Sequence, residues 1–290
     1  VWRGRRGAPG APVPVEFRFF DAPAWATFNR VLRKRMIRAG VTGHVEPPGV
    51  LVTDDGERLS LLSLAQACNA APARRWAGLV DAHLEPLLAG PLAPVDPAEA
   101  RRLLKVRLIP DDLEPGVSAP YAAGVLAGLV LDLPRTVVGV RPAQLDDWGL
   151  ELGEAWELAW ANVGAEPRPE ELERLSIDGA EVVSVYGDSF FTASKVAFLS
   201  RVIGPIGSTG ALVTIPRRHT LLAHVLGNGP ANAALAPLVL NTRRLHVDGP
   251  GSISPHLYWW VDGALVWVPA TVDDDGRIEV YPPPGLAEQL

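Results

Sequence analysis

Cysteine is almost absent from this chain: Cys68 is its one thiol in 290 residues, so no disulfide can close within it and a reducing compartment fits. Long apolar runs are missing as well. The longest, residues 122–133, is about a dozen residues interrupted by Asp132, short of the roughly 20 that a membrane-crossing helix needs. Residues 1–15 carry Arg3, Arg5 and Arg6 but continue with Gly-Ala-Pro-Gly-Ala-Pro, where a signal peptide needs an apolar stretch. The expected location is cytoplasmic, without a membrane partner. Positive charge is not in excess either: 27 Lys and Arg against 33 Asp and Glu give a net charge of −6, which excludes a generally basic nucleic-acid binder. There is no Gly-Lys-Ser/Thr for a phosphate loop, no His-Glu-x-x-His and no Cys-x-x-Cys. No cofactor and no metal is expected.

What is present is a globular balance, with 48% hydrophobic and 21% charged residues, and 28 Gly plus 28 Pro that predict abundant turns. Residues 1–14 read as a flexible lead because Pro and Gly recur without a hydrophobic period. A strand is expected over 15–20. Asp21 and Pro23 then start a helix to Ala39, with Trp25, Phe28, Leu32 and Met36 on one face and Gly40 as its stop. A hairpin over 50–61 and a helix over 63–88, broken at Pro72, complete a β-α-β-β-α lobe over residues 15–92. Arg30, Arg33, Lys34 and Arg38 form the solvated face of the first helix, so nucleic acid is not an expected partner.

A second α+β lobe is expected over 93–285, with a tail over 286–290. Its elements are a short helix after Asp96, a strand over 106–109, a loop over 111–123, and a hairpin over 125–140. An amphipathic helix over 150–163 carries Trp156 and Trp160, a strand covers 182–186, and a helix capped by Asp188, Ser189 or Thr192 covers 192–203. A strand over 211–215 then leads into a helix over 219–226, and a further helix runs over 231–240. Two strands over 257–261 and 265–268 are joined by a three-residue loop, with residues 278–281 pairing beside them. Strands and helices follow one another in small groups, which predicts α+β, with small mixed or antiparallel sheets flanked by helices in two lobes.

The segment Asp188-Ser189-Phe190-Phe191-Thr192-Ala193-Ser194 and the later Ile215-Pro216-Arg217-Arg218-His219-Thr220-Leu221-Leu222 resemble the distal signature of the YtpQ-like domain-of-unknown-function family of bacterial proteins. Leu59-Ser60-Leu61 and Ala161-Asn162-Val163 are similar to that family too. The resemblance spans about residues 15–270 and implies a soluble bacterial cytoplasmic protein of unassigned role, with neither a reaction nor a cofactor. This chain has His219 where the family pattern places an acid after the proline-basic step, so no active-site role is carried over.

The densest polar feature is Arg217-Arg218-His219. Two guanidinium groups after a strand, near an expected helix start, can hold a phosphate or carboxylate, with Ser189 alongside. His219 is a candidate acid or base and Asp188 a candidate orienter, because an unperturbed imidazole titrates near pH 6.5. Capping the helix that follows is the favoured role for Asp188 and Ser189. Ser194-Lys195 lacks the three-residue spacing of a serine-lysine site. The Asp273-Asp274-Asp275-Gly276 run reads as a solvated turn, Cys68 as a buried thiol, and Gly204, Gly207 and Gly210 as a connection that runs the wrong way for a nucleotide loop. Trp259 and Trp260, adjacent on a strand, should point to opposite faces, so one is a candidate interface residue. These residues favour a non-enzymatic binding or regulatory protein whose partner is an anionic small molecule or another protein. An enzyme built on Arg217, Arg218, His219 and Asp188 is one alternative, and a self-associating structural module is the other.

Overall fold

A computed structural model of the chain describes residues 13–46, 49–54, 58–88, 95–113, 116–134, 136–167, 171–273 and 275–290. Residues 1–12 of the lead expected over 1–14, residues 55–57 of the expected hairpin and Asp274 lie outside the described residues. The chain divides into two compact units, Val1–Pro94 with Val247–Gly251, and Val95–His246 with Ser252–Leu290. The fold is mixed α+β, with several sheets flanked by helices.

In the first unit, α1 (Ala22–Ala39) begins where the Asp21 carboxylate accepts the Ala24 N–H at 2.7 Å, and it ends at Gly40 in the left-handed region. Phe28, Leu32 and Met36 fall on one face at four-residue spacing, and all three are buried. Strands β1 (Gly43–Glu46), β2 (Val50–Thr53) and β3 (Arg58–Ser60) form an antiparallel sheet. Helices α2 (Leu62–Asn69) and α3 (Trp76–Leu88), separated at Pro72, supply Leu64, Ala65, Cys68, Trp76, Val80 and Leu84 to the same core. Residues 15–20 are not the expected strand. Val15–Phe17 is a 3-10 turn, because Phe17 and Phe20 are both buried and lie three residues apart, whereas a strand would turn them to opposite faces. Phe17 stacks on Trp25 with ring centres 4.7 Å apart.

The second unit opens with α4 (Pro97–Leu103), capped by the Asp96 carboxylate on the Ala98 and Glu99 N–H groups, and runs without a loop into β4 (Leu104–Pro110). With β5 (Ser118–Ala122), β6 (Val125–Leu133) and β7 (Thr136–Gly139), β4 makes an antiparallel sheet in which β6 pairs with all three others. Helices α5 (Pro142–Asp147) and α6 (Leu152–Ala165) follow, and α6 packs on β4. The second sheet takes its strands from β8 (Glu171–Ile177), β9 (Ala180–Tyr186), β10 (Ala211–Arg217), β11 (Thr220–Val225), β12 (Leu257–Val261) and β13 (Ala264–Val268). Its order is β13-β12-β10-β11-β9-β8, antiparallel throughout. A 3-10 segment, Ala193–Phe198, and α7 (Leu199–Ile203) lie between β9 and β10. Alternation along the strands serves two cores: Ala211, Val213 and Ile215 join the larger one with β4, β6 and α6, while Leu212 joins Leu238 and Val239 of α8 (Ala231–Asp248). A two-stranded sheet of β14 (Ala270–Val272) and β15 (Ile278–Val280), then α9 (Pro284–Ala287), finishes the chain.

Five further expectations are corrected here. Residues 219–226 are not a helix: β11 pairs on both sides, with β10 and β9, and all six of its residues are buried, so its continuous apolar run suits an interior strand. The loop expected over 111–123 contains β5, where Pro120 is tolerated because the strand lies at an edge. The hairpin loop after β12 has two residues, Asp262 and Gly263, both at positive φ, with Val261 paired to Ala264. Residues 278–280 pair with β14 and not with β12 or β13. Over 192–203 the chain is helical, yet its first half is 3-10 and not α.

Gly210 and Gly40 separate two uses of glycine. Both have positive φ, but a Cβ on Gly210 would stand 2.1 Å from the Trp260 carbonyl oxygen, while one on Gly40 would meet nothing within 4 Å. Urea unfolding should therefore show Gly40→Ala losing about 1 kcal/mol, the left-handed penalty alone, and Gly210→Ala losing roughly 3 kcal/mol or more. Equal losses would contradict the close approach of β12 to Gly210.

Candidate functional site

The β10–β11 turn carries the three polar residues singled out from sequence. Arg217 pairs with Thr220 across the hairpin, and its Nε donates to Thr220 Oγ1 at 3.0 Å. The backbone of the turn is held by the segment after β9: Ala193 N–H donates to the Arg218 carbonyl at 3.0 Å, and Gly187 N–H to that of His219 at 3.2 Å. His219 Nδ1 faces the Gly187 carbonyl at 2.9 Å, while Nε2 accepts from Arg218 Nε at 2.9 Å. A carbonyl cannot donate and a guanidinium cannot accept, so Nδ1 carries the hydrogen and Nε2 the lone pair. Burial lowers the His219 pKa below its ordinary value, and the Arg218 and Arg217 charges lower it further. The ring is thus neutral at pH 7 with both nitrogens engaged.

A cleft of about 240 Å³ opens beside the turn, lined by Glu171, Tyr186, Gly187, Asp188, Arg217, His219 and Thr220. Asp188, Arg217 and His219 therefore share one concavity, and Arg218 does not line it. Arg218 lies against Phe190 instead, its guanidinium carbon 4.5 Å from the ring centre. Asp188 is exposed and makes no side-chain hydrogen bond among the described residues. Ser189 turns inward: its hydroxyl accepts from Phe191 N–H at 3.1 Å and donates to Glu166 Oε2 at 2.8 Å. That bond leads into a network the sequence did not reveal. Lys105 Nζ sits 2.5 Å from Glu166 Oε1 and 2.7 Å from Asp132 Oδ2, and Lys195 Nζ sits 3.1 Å from Glu166 Oε2 and 2.6 Å from the Pro167 carbonyl. Burial alone would raise the Glu166 carboxyl, but Lys105, Ser189 and Lys195 together hold it below the usual glutamate value. Ser194 Oγ accepts the Leu108 N–H at 3.1 Å, so neither member of the Ser194-Lys195 pair is free.

Arg107 is a further residue that sequence reasoning missed. It follows Lys105 by two along β4, so both point to the same side, between buried Leu104, Val106 and Leu108. Lys105 lies over Phe191 at 4.7 Å and Arg107 over Phe190 at 5.9 Å. The Arg107 Nε is sealed from solvent without a hydrogen-bond partner. Among the described residues no carboxylate lies within 4.0 Å of Arg107, Arg217 or Arg218. Two basic positions at i and i+2 on an otherwise apolar strand were the available signal.

Trp259 and Trp260 do face opposite sides, one against the α8 core and the other against the larger core, and both are half-buried. Each indole N–H is used, on Thr209 O at 2.8 Å and on Val196 O at 3.1 Å. Trp267 on β13 is the more open, at 45% exposure. Among the described residues, no three His, Cys, Asp or Glu are grouped to hold a metal, and no helix is long and apolar enough to cross a membrane. Cys68 is buried and its thiol is pushed up to about 11 by desolvation.

Fold and site together define an α+β protein with an arginine-rich hairpin turn beside a small cleft. No family model, no curated protein and no solved structure matches the chain.

Glu166 is the most exacting element of this arrangement, because its carboxylate is 12% exposed and contacts two ammonium groups that are 15% and 7% exposed, with Asp132 the second counter-charge on Lys105. Glu166→Gln strands the Lys195 ammonium, leaves Lys105 to Asp132 alone, and should cost about 3 kcal/mol at neutral pH. Because the folded carboxyl titrates below the unfolded one, this contribution is complete above the unfolded value and is lost as pH falls through the folded one. Denaturant unfolding of both proteins should show the gap narrowing only in acid; a gap that stays constant would mean the carboxylate charge is irrelevant.

Proposed function

We propose that this is a non-enzymatic cytoplasmic binding protein that takes a small anionic molecule at the β10–β11 turn. One observation carries the reading: Arg217 and Arg218, with Arg107 near them, keep their guanidinium ends free of carboxylates although the chain is acidic overall. A guanidinium held in place without a counter-charge is a ready partner for carboxylate or phosphate oxygens. Arg218 is positioned by its bond to His219 and by the Phe190 ring, so little freedom is lost when an anion arrives. Kinship with the YtpQ-like family belongs to the same reading and is supported by the resembling segments alone.

The enzyme reading draws support from the shared cleft of Asp188, Arg217 and His219. Against it stands the engagement of both His219 nitrogens, since a general base must offer its lone pair to substrate and here Arg218 occupies it.

Thermal unfolding against a panel of phosphate, sulfate, citrate and acetate tests the proposal. Ligand at 100 times its dissociation constant should stabilise the wild type by about 2.7 kcal/mol, and the double variant Arg217→Ala, Arg218→Ala should lose that gain. An undiminished shift in the double variant, or no shift in the wild type, would overturn it.

A further inference from the structure

The anion-binding reading leaves open which arginines grip the ligand and what charge it carries. Arg217 and Arg218 are adjacent in sequence, yet Arg217 lines the cleft while Arg218 turns to Phe190. The other cation on that ring is Arg107, from a different sheet, with the two guanidinium carbons 4.5 and 5.9 Å from the ring centre. We infer that Arg107 and Arg218, gathered on Phe190, form the seat of a tetrahedral oxyanion of charge −2, a phosphate or sulfate group, with Arg217 outside it. This rests on the proposal that the turn binds an anion.

Three features support the pairing. First, Arg107 is half-buried with an unpartnered Nε, and a buried guanidinium without a counter-ion is a standing cost that an incoming anion removes. Second, like charges crowd here: Arg218 is pulled down to about 10 by burial and then by Arg107, so the two cations already feel each other. One carboxylate would neutralise only one of them, whereas a dianion with several acceptor oxygens answers both forks. Third, the surroundings fix both arms. Arg107 stands on a paired strand, with the neighbouring Leu108 N–H bonded to Ser194, and Arg218 is held by His219. Phe190 itself stays 38% exposed, which leaves a way in from solvent.

Isothermal titration of the full chain with inorganic phosphate, sulfate and acetate, repeated on Arg107→Met and Arg217→Ala, decides the matter. Arg107→Met should weaken phosphate and sulfate binding about tenfold or more, the loss of a charge-assisted bond, while Arg217→Ala should change either by about twofold, a screened through-space effect. Acetate should bind the wild type much more weakly than either dianion. Phosphate without sulfate would mark a site that needs a donatable proton or a phosphoryl group, and sulfate alongside phosphate a site that reads charge and shape; either supports the dianion seat. Arg107→Met should also raise the anion-free melting temperature by about 2–4 °C, because an unpaired buried charge is gone. Should Arg107→Met not fold, Arg218→Gln must show the same tenfold loss. Loss in Arg217→Ala with Arg107→Met unaffected, or acetate binding as tightly as phosphate, overturns this inference and leaves anion binding at the turn intact. No dianion binding by the wild type defeats both.

Discussion

Glu166 closes the helix α6, and its two oxygens are shared among two ammonium groups and a hydroxyl that come from separate parts of the second unit. Lys105 brings β4, with Asp132 of β6 behind it; Lys195 and Ser189 bring the segment after β9. Removing a charge from water costs several kcal/mol per ion, so each of these groups is tolerable only while the others remain in place. The arrangement therefore acts as a geometric constraint more than as a source of stability. It fixes where residues 187–195 lie, and those residues in turn hold the β10–β11 turn through Gly187 and Ala193.

From that constraint follows a contrast between two sets of cations. Lys105 and Lys195 are paired with carboxylates at 2.5 to 3.1 Å, inside the protein. Arg107, Arg217 and Arg218 have no such partner among the described residues. The adjacent Phe191 and Phe190 take one cation from the first set and two from the second. Lysine, a compact ammonium that several oxygens can surround, occupies the closed network; arginine, a planar fork with donors on its outer edge, occupies the open one. His219, neutral and doubly hydrogen-bonded, holds Arg218 at the boundary and has no lone pair left for proton transfer.

Local rules made much of the fold legible in the sequence. Asp21, Pro23 and Gly40 bracket α1, Asp96 caps α4, Pro72 separates α2 from α3, and Asp262-Gly263 marks the β12–β13 hairpin. What stayed hidden was decided by distant partners. β11 reads equally as a buried helix or a buried strand, since a short apolar run has no period that distinguishes them, and its two neighbours settle the matter. β8 is rich in charge and largely exposed, and it is a strand because the β9 edge needs pairing. The site followed the same division. Arg217, Arg218 and His219 stood out because they are contiguous, whereas Arg107, about 110 residues earlier, joins them only through the packing of β4 against the 3-10 segment. Ser189 was visible as a polar residue near the right loop, but its hydroxyl is committed to Glu166.

The central claim is that the Glu166 junction positions the arginines, and the sign of one effect tests it. Simple electrostatics says that replacing Glu166 by glutamine removes a negative charge near the turn, leaves the Lys195 ammonium without a carboxylate while Lys105 keeps Asp132, and so should tighten phosphate binding. Positioning says the opposite, because the loop that carries Phe190 and braces Arg218 loses its anchor. Calorimetric titration of inorganic phosphate into folded Glu166→Gln should show binding weakened by about tenfold relative to the wild type. Unchanged or tighter binding would contradict the account.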